Sequence, residues 1–253
     1  ASEFVEELEY GFYFKKGFEA SVFVTDDKPS SQLDKAIFTL IPYENGTMQE
    51  AKPPQEVKII DGRAVCEIPS GFKGQIYAEV YDKVGNVSDR KTPQGFVVDE
   101  VAPTITIEEL PDTAAGKDEK GNKLYNTAVQ YRVTISDYRA GLKEVSYSKS
   151  SERDSREALV NVIDNVDGHL ENKLIANGWE ITKNDVNLIT EVSQVFTFNS
   201  DDNDIIMTFN AKDRAMNACE PMSSEAFSID TIAPEISISN NSEIINDMYY
   251  RNN

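Results

Sequence analysis

Few side chains in this sequence could act as catalytic nucleophiles or bases. His169 is the sole histidine, and the two cysteines, Cys66 and Cys219, lie 153 residues apart. A nucleophilic cysteine needs a base within hydrogen-bond reach, and we expect the cysteines in different domains, with no disulfide between them. The sequence has no glycine-rich phosphate loop and no metalloprotease helix, and its carboxylates are too numerous for any pair to indicate a glycosidase. We therefore predict that the protein is not an enzyme.

Two acidic stretches and one tryptophan are candidates for binding sites. Residues 164–168 and 201–204 are acidic but lack the alternating ligand spacing of an EF-hand, so we interpret them as solvated surface loops. Trp179 lies in a short polar stretch and could form a platform on which a sugar ring stacks. A tryptophan this close to Ile181 is also typical of a hydrophobic core. The sequence leaves both interpretations of Trp179 open.

The composition restricts the partners of the chain. Its 253 residues include 25 Lys and Arg against 44 Asp and Glu, a net charge of −19 that repels nucleic acid and anionic lipid headgroups. No apolar run reaches the ~18 residues that a membrane helix needs. We therefore expect neither nucleic-acid binding nor membrane insertion. With 40% hydrophobic residues the chain can form a core, and its length suits two domains.

The sequence repeats itself. Five residues recur 131 positions later in the same register; they are Asp82, Asn86, Phe96, Asp99 and Pro103, which return as Asp213, Asn217, Phe227, Asp230 and Pro234. A weaker repeat, with an offset of 111, relates residues 13–26 to residues 124–137. The chain is therefore predicted to contain two units of one design.

Each unit has the pattern of short β-strands. Apolar and polar residues alternate in stretches such as 76–80 and 131–135, and Gly and Asn turn signals separate these stretches. Many short strands with close turns predict an all-β sandwich. Residues 155–176 differ, because apolar residues recur there at helical spacing and predict a helix; they are Leu159, Ile163, Val166, Leu170 and Leu174.

The repeated residues carry a family resemblance. The stretches 82–86 and 99–103 resemble the strand F, strand G and linker signature of tandem bacterial Ig-like repeats in surface proteins and adhesins. The resemblance implies tandem immunoglobulin-like β-sandwich domains with a short helical insertion in the second domain. Domain 1 would span 5–98 without its first strand, domain 2 would span 102–229 with an insertion near 150–190, and 233–253 would begin a truncated third domain. We expect that last strand to be loosely ordered or to add to a neighbouring sheet edge.

The same resemblance brings acidic residues together. In this fold the loops after strands B and F and the amino-terminal linker meet at one pole, which implies that four residues converge between domains 1 and 2: Asp99, Glu100, Asp137 and Asp213. Crowded carboxylates repel one another, and calcium, which takes about six to eight oxygen ligands, is a natural counterion. We therefore predict a structural interdomain calcium site. Turn capping by the aspartates, without a metal, is the alternative. Asp26 and Asp82 would serve an upstream linker, and Asp230 a third domain.

The resemblance implies a function as well as a fold. We expect a non-enzymatic spacer or adhesion segment of an extracellular, bacterial cell-surface or secreted protein, in which tandem domains hold a distal module away from the cell wall. Its partner would be a protein or glycan ligand on a host or cell surface, and the segment itself would be monomeric. The alternative is a carbohydrate-binding β-sandwich module of a large glycan-processing enzyme, with a binding site that includes Trp179.

Overall fold

The regular secondary structure of the described residues is mostly β-strand, as the all-β prediction expected. The computed structural model describes residues 10–27, 31–44, 46–111, 113–154, 161–164, 169–184, 186–237, 244–245 and 248–249. Within them the strands form several sheets, and one α-helix is present. That helix has seven residues, and none in the described part of the chain has the length and apolar character to cross a bilayer.

The amino-terminal half consists of two sheets. Its strands are β1 (Tyr10–Phe14), β2 (Phe18–Phe23), β3 (Leu33–Glu44), β4 (Thr47–Met48), β5 (Gln55–Lys58), β6 (Arg63–Ile68), β7 (Lys73–Asp82), β8 (Val87–Lys91) and β9 (Gly95–Val98). One sheet has the order β1-β9-β7-β3-β4, with β5 also paired to β3 and β8 to β7, and β2 and β6 form the other. Alternate residues of β3 and β6 share one core; they are Ala36, Phe38, Leu40, Ala64, Cys66 and Ile68.

The carboxy-terminal half also has two main sheets. Its elements are β10 (Thr104–Glu109), β11 (Gly116–Lys117), β12 (Lys123–Tyr125), β13 (Val129–Ser136), β14 (Leu142–Ser150), β15 (Asn161–Asp164), α1 (Leu170–Ala176), β16 (Glu180–Lys183), β17 (Ile189–Phe198), β18 (Asp202–Asp213), β19 (Met222–Ser223) and β20 (Phe227–Ile229). The sheet orders are β10-β13-β17-β16 and β11-β12-β20-β18-β14-β15, with β19 also paired to β18. A second core lies between them. A short hairpin, β21 (Ile244–Ile245) and β22 (Met248–Tyr249), follows.

The two halves repeat their strand pairing. β1 pairs in parallel with β9, and β12 pairs in parallel with β20. Phe14 therefore lies opposite Val98, as Tyr125 lies opposite Ile229. The pairing of β2 with β6 likewise returns as that of β13 with β17. The two offsets found in the sequence thus correspond to equivalent strands.

One difference between the halves is at the edge of a sheet. In the carboxy-terminal half, β13 lies between β10 and β17. In the amino-terminal half its counterpart β2 pairs with β6 alone, as far as the described residues show. The residues equivalent to β10 at the end of the chain form no strand over 231–237. The strand predicted to begin at residue 233 is therefore not formed in that stretch.

The predicted helix over 155–176 is wrong at residues 161–164 and is present over Leu170–Ala176. Residues 161–164 form the strand β15, and α1 begins only at Leu170. Residues 155–160 and 165–168 lie outside the described residues. The edge of β14 accounts for the difference, because it offers backbone hydrogen bonds that β15 takes up. Leu170 and Leu174 do share a buried helical face.

Trp179 lies in the core and not on a binding surface. It is 3% exposed and makes edge contacts with Tyr147 and Phe196, with ring centroids 6.1 and 5.9 Å away. A sugar-stacking platform needs an exposed ring face. The prediction of a platform is therefore replaced by the core alternative, in which the ring packs against side chains of β14 and β17.

Replacing Trp179 tests this position. We expect Trp179→Ala to lower the free energy of unfolding by about 3–5 kcal/mol, because a large buried ring is lost. Val195→Ala, at an exposed position of β17, should change it by less than about 0.5 kcal/mol. Urea unfolding followed by circular dichroism measures both. A Trp179→Ala protein as stable as the Val195→Ala protein would contradict the buried position.

Candidate functional site

Three aspartates meet where the two halves join. Asp99 follows β9, Asp137 follows β13, and Asp213 is the last residue of β18. One carboxylate oxygen from each lies within 4.8 Å of the others. Their exposed fractions are 2%, 6% and 0%. The predicted convergence is thus seen for these three residues, which we call the aspartate cluster.

Glu100 is not part of the aspartate cluster. Its side chain is exposed, and its Oε1 atom accepts a hydrogen bond of 2.6 Å from Ser70 Oγ. Successive side chains of an extended chain point in opposite directions, so Asp99 and Glu100 diverge. The predicted set of four acidic residues is therefore reduced to three.

Each cluster aspartate caps a turn through one oxygen. Asp137 Oδ1 accepts hydrogen bonds from the backbone N–H groups of the next turn, those of Ala140 and Gly141 both at 2.9 Å. Asp213 Oδ1 accepts from the N–H of Asn217 at 2.7 Å, and Asp99 Oδ1 from that of Val101 at 3.0 Å. Turn capping, the metal-free alternative, is therefore present. These capping bonds use one oxygen of Asp99 and one of Asp137, whereas both oxygens of Asp213 accept from Asn217 of its own turn.

The second oxygens and one amide connect the linker to the carboxy-terminal half. The N–H of Ala140 donates to Asp99 Oδ2 at 3.1 Å. Asn217 Nδ2 donates to Asp213 Oδ2 and to the backbone carbonyl of Asp99, both at 2.7 Å. Asn217 is itself buried, and its Oδ1 atom has no hydrogen-bond partner in the structure. In the sequence, Asn217 stands out only as one of the five repeated residues. Its spacing of four residues from Asp213 could have predicted that its amide bonds to that carboxylate.

Burial and mutual repulsion raise the pKa of two of these carboxyls. Burial is the largest effect on Asp213, and the charges of Asp137 and Asp99 add to it, so that its pKa rises from 3.8 to about 6 despite hydrogen bonds from Asn217. The pKa of Asp137 is also raised, chiefly by burial and then by Asp99, against the hydrogen bonds from its turn. The aspartate cluster therefore favours a bound proton or a bound cation over three bare charges.

The turn that holds Asp213 is used four times in the described residues. The turns begin at Asp82, Asp118, Asn184 and Asp213, and in each the first side chain accepts a hydrogen bond from the N–H four residues later. The fourth residue has a positive φ each time; these residues are Gly85, Gly121, Asn187 and Met216. The sequence repeat revealed only two of the four turns.

Carboxylates of the other acidic stretches, 164–168 and 201–204, form hydrogen bonds and ion pairs with nearby residues. Asp201 Oδ1 accepts from the backbone and side chain of Thr231, both at 2.8 Å. Asp204 pairs with Lys120, and Asp164 Oδ1 lies 3.1 Å from Lys173 Nζ. These carboxylates are therefore engaged in local contacts, while residues 165–168 lie outside the described residues.

The pKa of Asp213 gives stability a particular pH dependence. A folded-state pKa of about 6, above the ordinary 3.8, means that the folded protein holds the proton more tightly. With a chelator present, the titration of Asp213 should therefore make the free energy of unfolding fall as the pH rises from about 4 through 6. Asp137→Asn removes a neighbouring charge, so its decline should be shallower. Urea titrations across this range measure both, and equal slopes would contradict the coupling.

Met216 occupies a backbone conformation that favours glycine. Its φ is 70°, whereas Gly85 holds the same turn position with a φ of 93°. We expect Met216→Gly to raise the free energy of unfolding by about 1 kcal/mol, because a left-handed conformation costs a residue with a Cβ. The reciprocal Gly85→Met should lower it by a similar amount, since a Cβ there meets no other atom within 4 Å. Chemical unfolding tests both, and a destabilised Met216→Gly protein would contradict the assignment.

Comparison with known proteins does not assign a function. No protein-family model matches this chain, and no curated protein matches it. The functional conclusion therefore rests on the geometry of the aspartate cluster and on the internal repeat.

Proposed function

We propose that this chain is a non-enzymatic spacer segment of a bacterial surface or secreted protein, made of tandem Ig-like domains whose junction is stiffened by a calcium ion. The domains of this proposal are 5–98 and 102–229, with residues 233–253 opening a third. One observation carries it: the aspartate cluster is buried at the join between two separate hydrophobic cores.

Direct contacts support a defined angle at this junction. Arg139 of the carboxy-terminal half donates to the carbonyl of Gly71 in the amino-terminal half at 2.7 Å. A small apolar cluster also joins the halves, formed by Val97, Ala140 and Ala215 with Tyr13 packed against it. Pro103 fixes its own φ and favours an extended alanine before it. The linker therefore has little freedom to coil back.

The donor atoms of the aspartate cluster suit calcium. They are all oxygens, the ligand type of a hard cation, and they include no nitrogen or sulfur that would favour zinc. The buried Oδ1 atom of Asn217 lacks a hydrogen-bond partner, and amide oxygens are common calcium ligands. Asp99, Asp137 and Asp213 would hold the ion, and Asn217 stands beside them.

The cation gives the junction a function. By neutralising buried charges that otherwise repel, it stabilises only the arrangement in which linker and loops meet. Extracellular modules bind calcium at roughly 0.1–1 mM, which suits a segment that works outside the cell. Stiff junctions lengthen the reach of a tandem chain.

The carbohydrate-binding alternative has less support. Its candidate residue, Trp179, is in the core, and the insertion that contains it packs onto the sheet through α1 and β16. We therefore propose that any protein or glycan ligand is bound by another part of the full surface protein, and that this segment has no sugar site.

Calcium binding is tested by thermal unfolding. Starting from chelator-treated protein, added calcium should raise the melting temperature by several degrees, which corresponds to roughly 1–3 kcal/mol. Asp137→Asn should remove the rise, because it keeps the turn-capping oxygen but loses the charge. Glu100→Gln is the matched control and should respond like the unchanged protein. No response in the unchanged protein, or an equal response in Asp137→Asn, would rule the site out.

The spacer role has its own measurement. Small-angle scattering should give a narrower distribution of distances in calcium than in chelator, because the junction angle becomes fixed. Asp137→Asn should show the broad distribution in both conditions. If calcium raises the melting temperature of the protein without substitutions but leaves its distance distribution the same, the ion binds but does not stiffen the junction.

A further inference from the structure

Among its described residues, the amino-terminal half has an open sheet edge. In the carboxy-terminal half, β10 runs antiparallel to β13 over six residue pairs, from Thr104 opposite Ser136 to Glu109 opposite Tyr131. The equivalent edge of β2 has no strand beside it in the part of the chain that the structure describes. An edge of this kind presents backbone donors and acceptors to any strand that fits it.

An apolar cavity lies beside that edge. Its volume is about 250 Å³, and most of its lining is apolar; the residues include Ala20, Val22, Phe38, Ile76, Ala78 and Phe96. In the carboxy-terminal half the corresponding place is filled, because Ile105 and Ile107 of β10 pack against the core. The amino-terminal half is therefore shaped for two similar side chains that it does not itself supply among the described residues.

The end of the chain carries the matching strand. Residues 230–238 repeat residues 99–107, with Ile236 and Ile238 in the places of Ile105 and Ile107. Yet residues 231–237 form no strand, and Ile232 and Ile236 are 72% and 86% exposed. The donor and the acceptor thus belong to different halves of the chain.

We propose that residues 230–238 of one copy add as a strand to the edge of β2 in a second copy. The register of β10 on β13 then places Ile236 opposite Val24 and Ile238 opposite Val22, and Val22 lines the cavity. Asp230 would approach the turn 82–86 as Asp99 approaches the turn 213–217. Because donor and acceptor are different surfaces, the association is head to tail and can continue along a row of copies.

Backbone hydrogen bonds and apolar burial drive this association. Strand addition supplies main-chain affinity, and side-chain pockets supply selectivity. The net charge of −19 opposes it, so association should strengthen with salt. This proposed association differs from the monomeric state that we expected from the sequence. It does not depend on the proposed calcium site, and its tests are run in chelator.

Sedimentation velocity over a range of concentrations tests the assembly. The unchanged full chain should form progressively larger species, and Ile236→Asp should weaken association about tenfold or more, because a buried isoleucine is lost. Ser237→Asp is the matched control: it adds the same charge at the position of Thr106, which is exposed on β10. A full chain that stays monomeric up to millimolar concentration, or equal effects of the two variants, would overturn the proposal.

Hydrogen exchange tests whether the edge of β2 is the surface that accepts the strand, and it uses a chain whose own association is weakened. A synthetic peptide of residues 230–240, added to the Ile236→Asp full chain, should slow amide exchange in β2 but not in β13, which is already paired on both edges. A peptide carrying Asp at positions 236 and 238 should have no effect. Protection elsewhere, or protection already present in the monomer at the β2 amides that do not bond to β6, would show that another segment covers this edge and would overturn the proposal.

Discussion

The hydrogen bond from Asn217 to the backbone carbonyl of Asp99 holds the two halves of this protein together at their join. It fixes the linker against a turn of the carboxy-terminal half, and it thereby brings the carboxylate of Asp99 to those of Asp137 and Asp213. The contact that orders the junction therefore also brings three mutually repelling carboxylates close together. Burial and repulsion raise the pKa of Asp137 and Asp213, so the geometry of the join and the protonation of these two carboxyls are coupled.

A single five-residue turn accounts for much of this arrangement. At Asp213 its capping side chain faces the linker and becomes a member of the aspartate cluster. At Asp82 the same turn has the same internal hydrogen bonds. No buried carboxylate among the described residues raises the pKa of Asp82, and hydrogen bonds, first that from Ser31, lower it to about 2. One local structure thus gives opposite pKa shifts in two places, because the shift depends on what packs against the turn.

Within the described residues, the open edge of β2 and the strandless segment 231–237 have a common origin in the repeat. A unit of this design completes one sheet with a strand that precedes it, as β10 does for the carboxy-terminal half. The linker and the strand after it therefore belong structurally to the following unit. This division explains why the aspartate of one half helps to build the site of the next, and why segments 99–107 and 230–238 share their pattern.

The sequence by itself determined the all-β class, the equivalence of Phe14 with Tyr125 and of Val98 with Ile229, and the turns at Asp82 and Asp213. These follow from local periodicity and from residues that suit particular backbone angles. It did not determine that 161–164 form a strand, that Glu100 faces away from its neighbour, or that Trp179 is buried. Those outcomes depend on a free edge of β14, on contacts with Ser70, and on rings from distant strands. Only the tertiary structure decided them, because each follows from partners far away in the sequence, where periodicity carries no information.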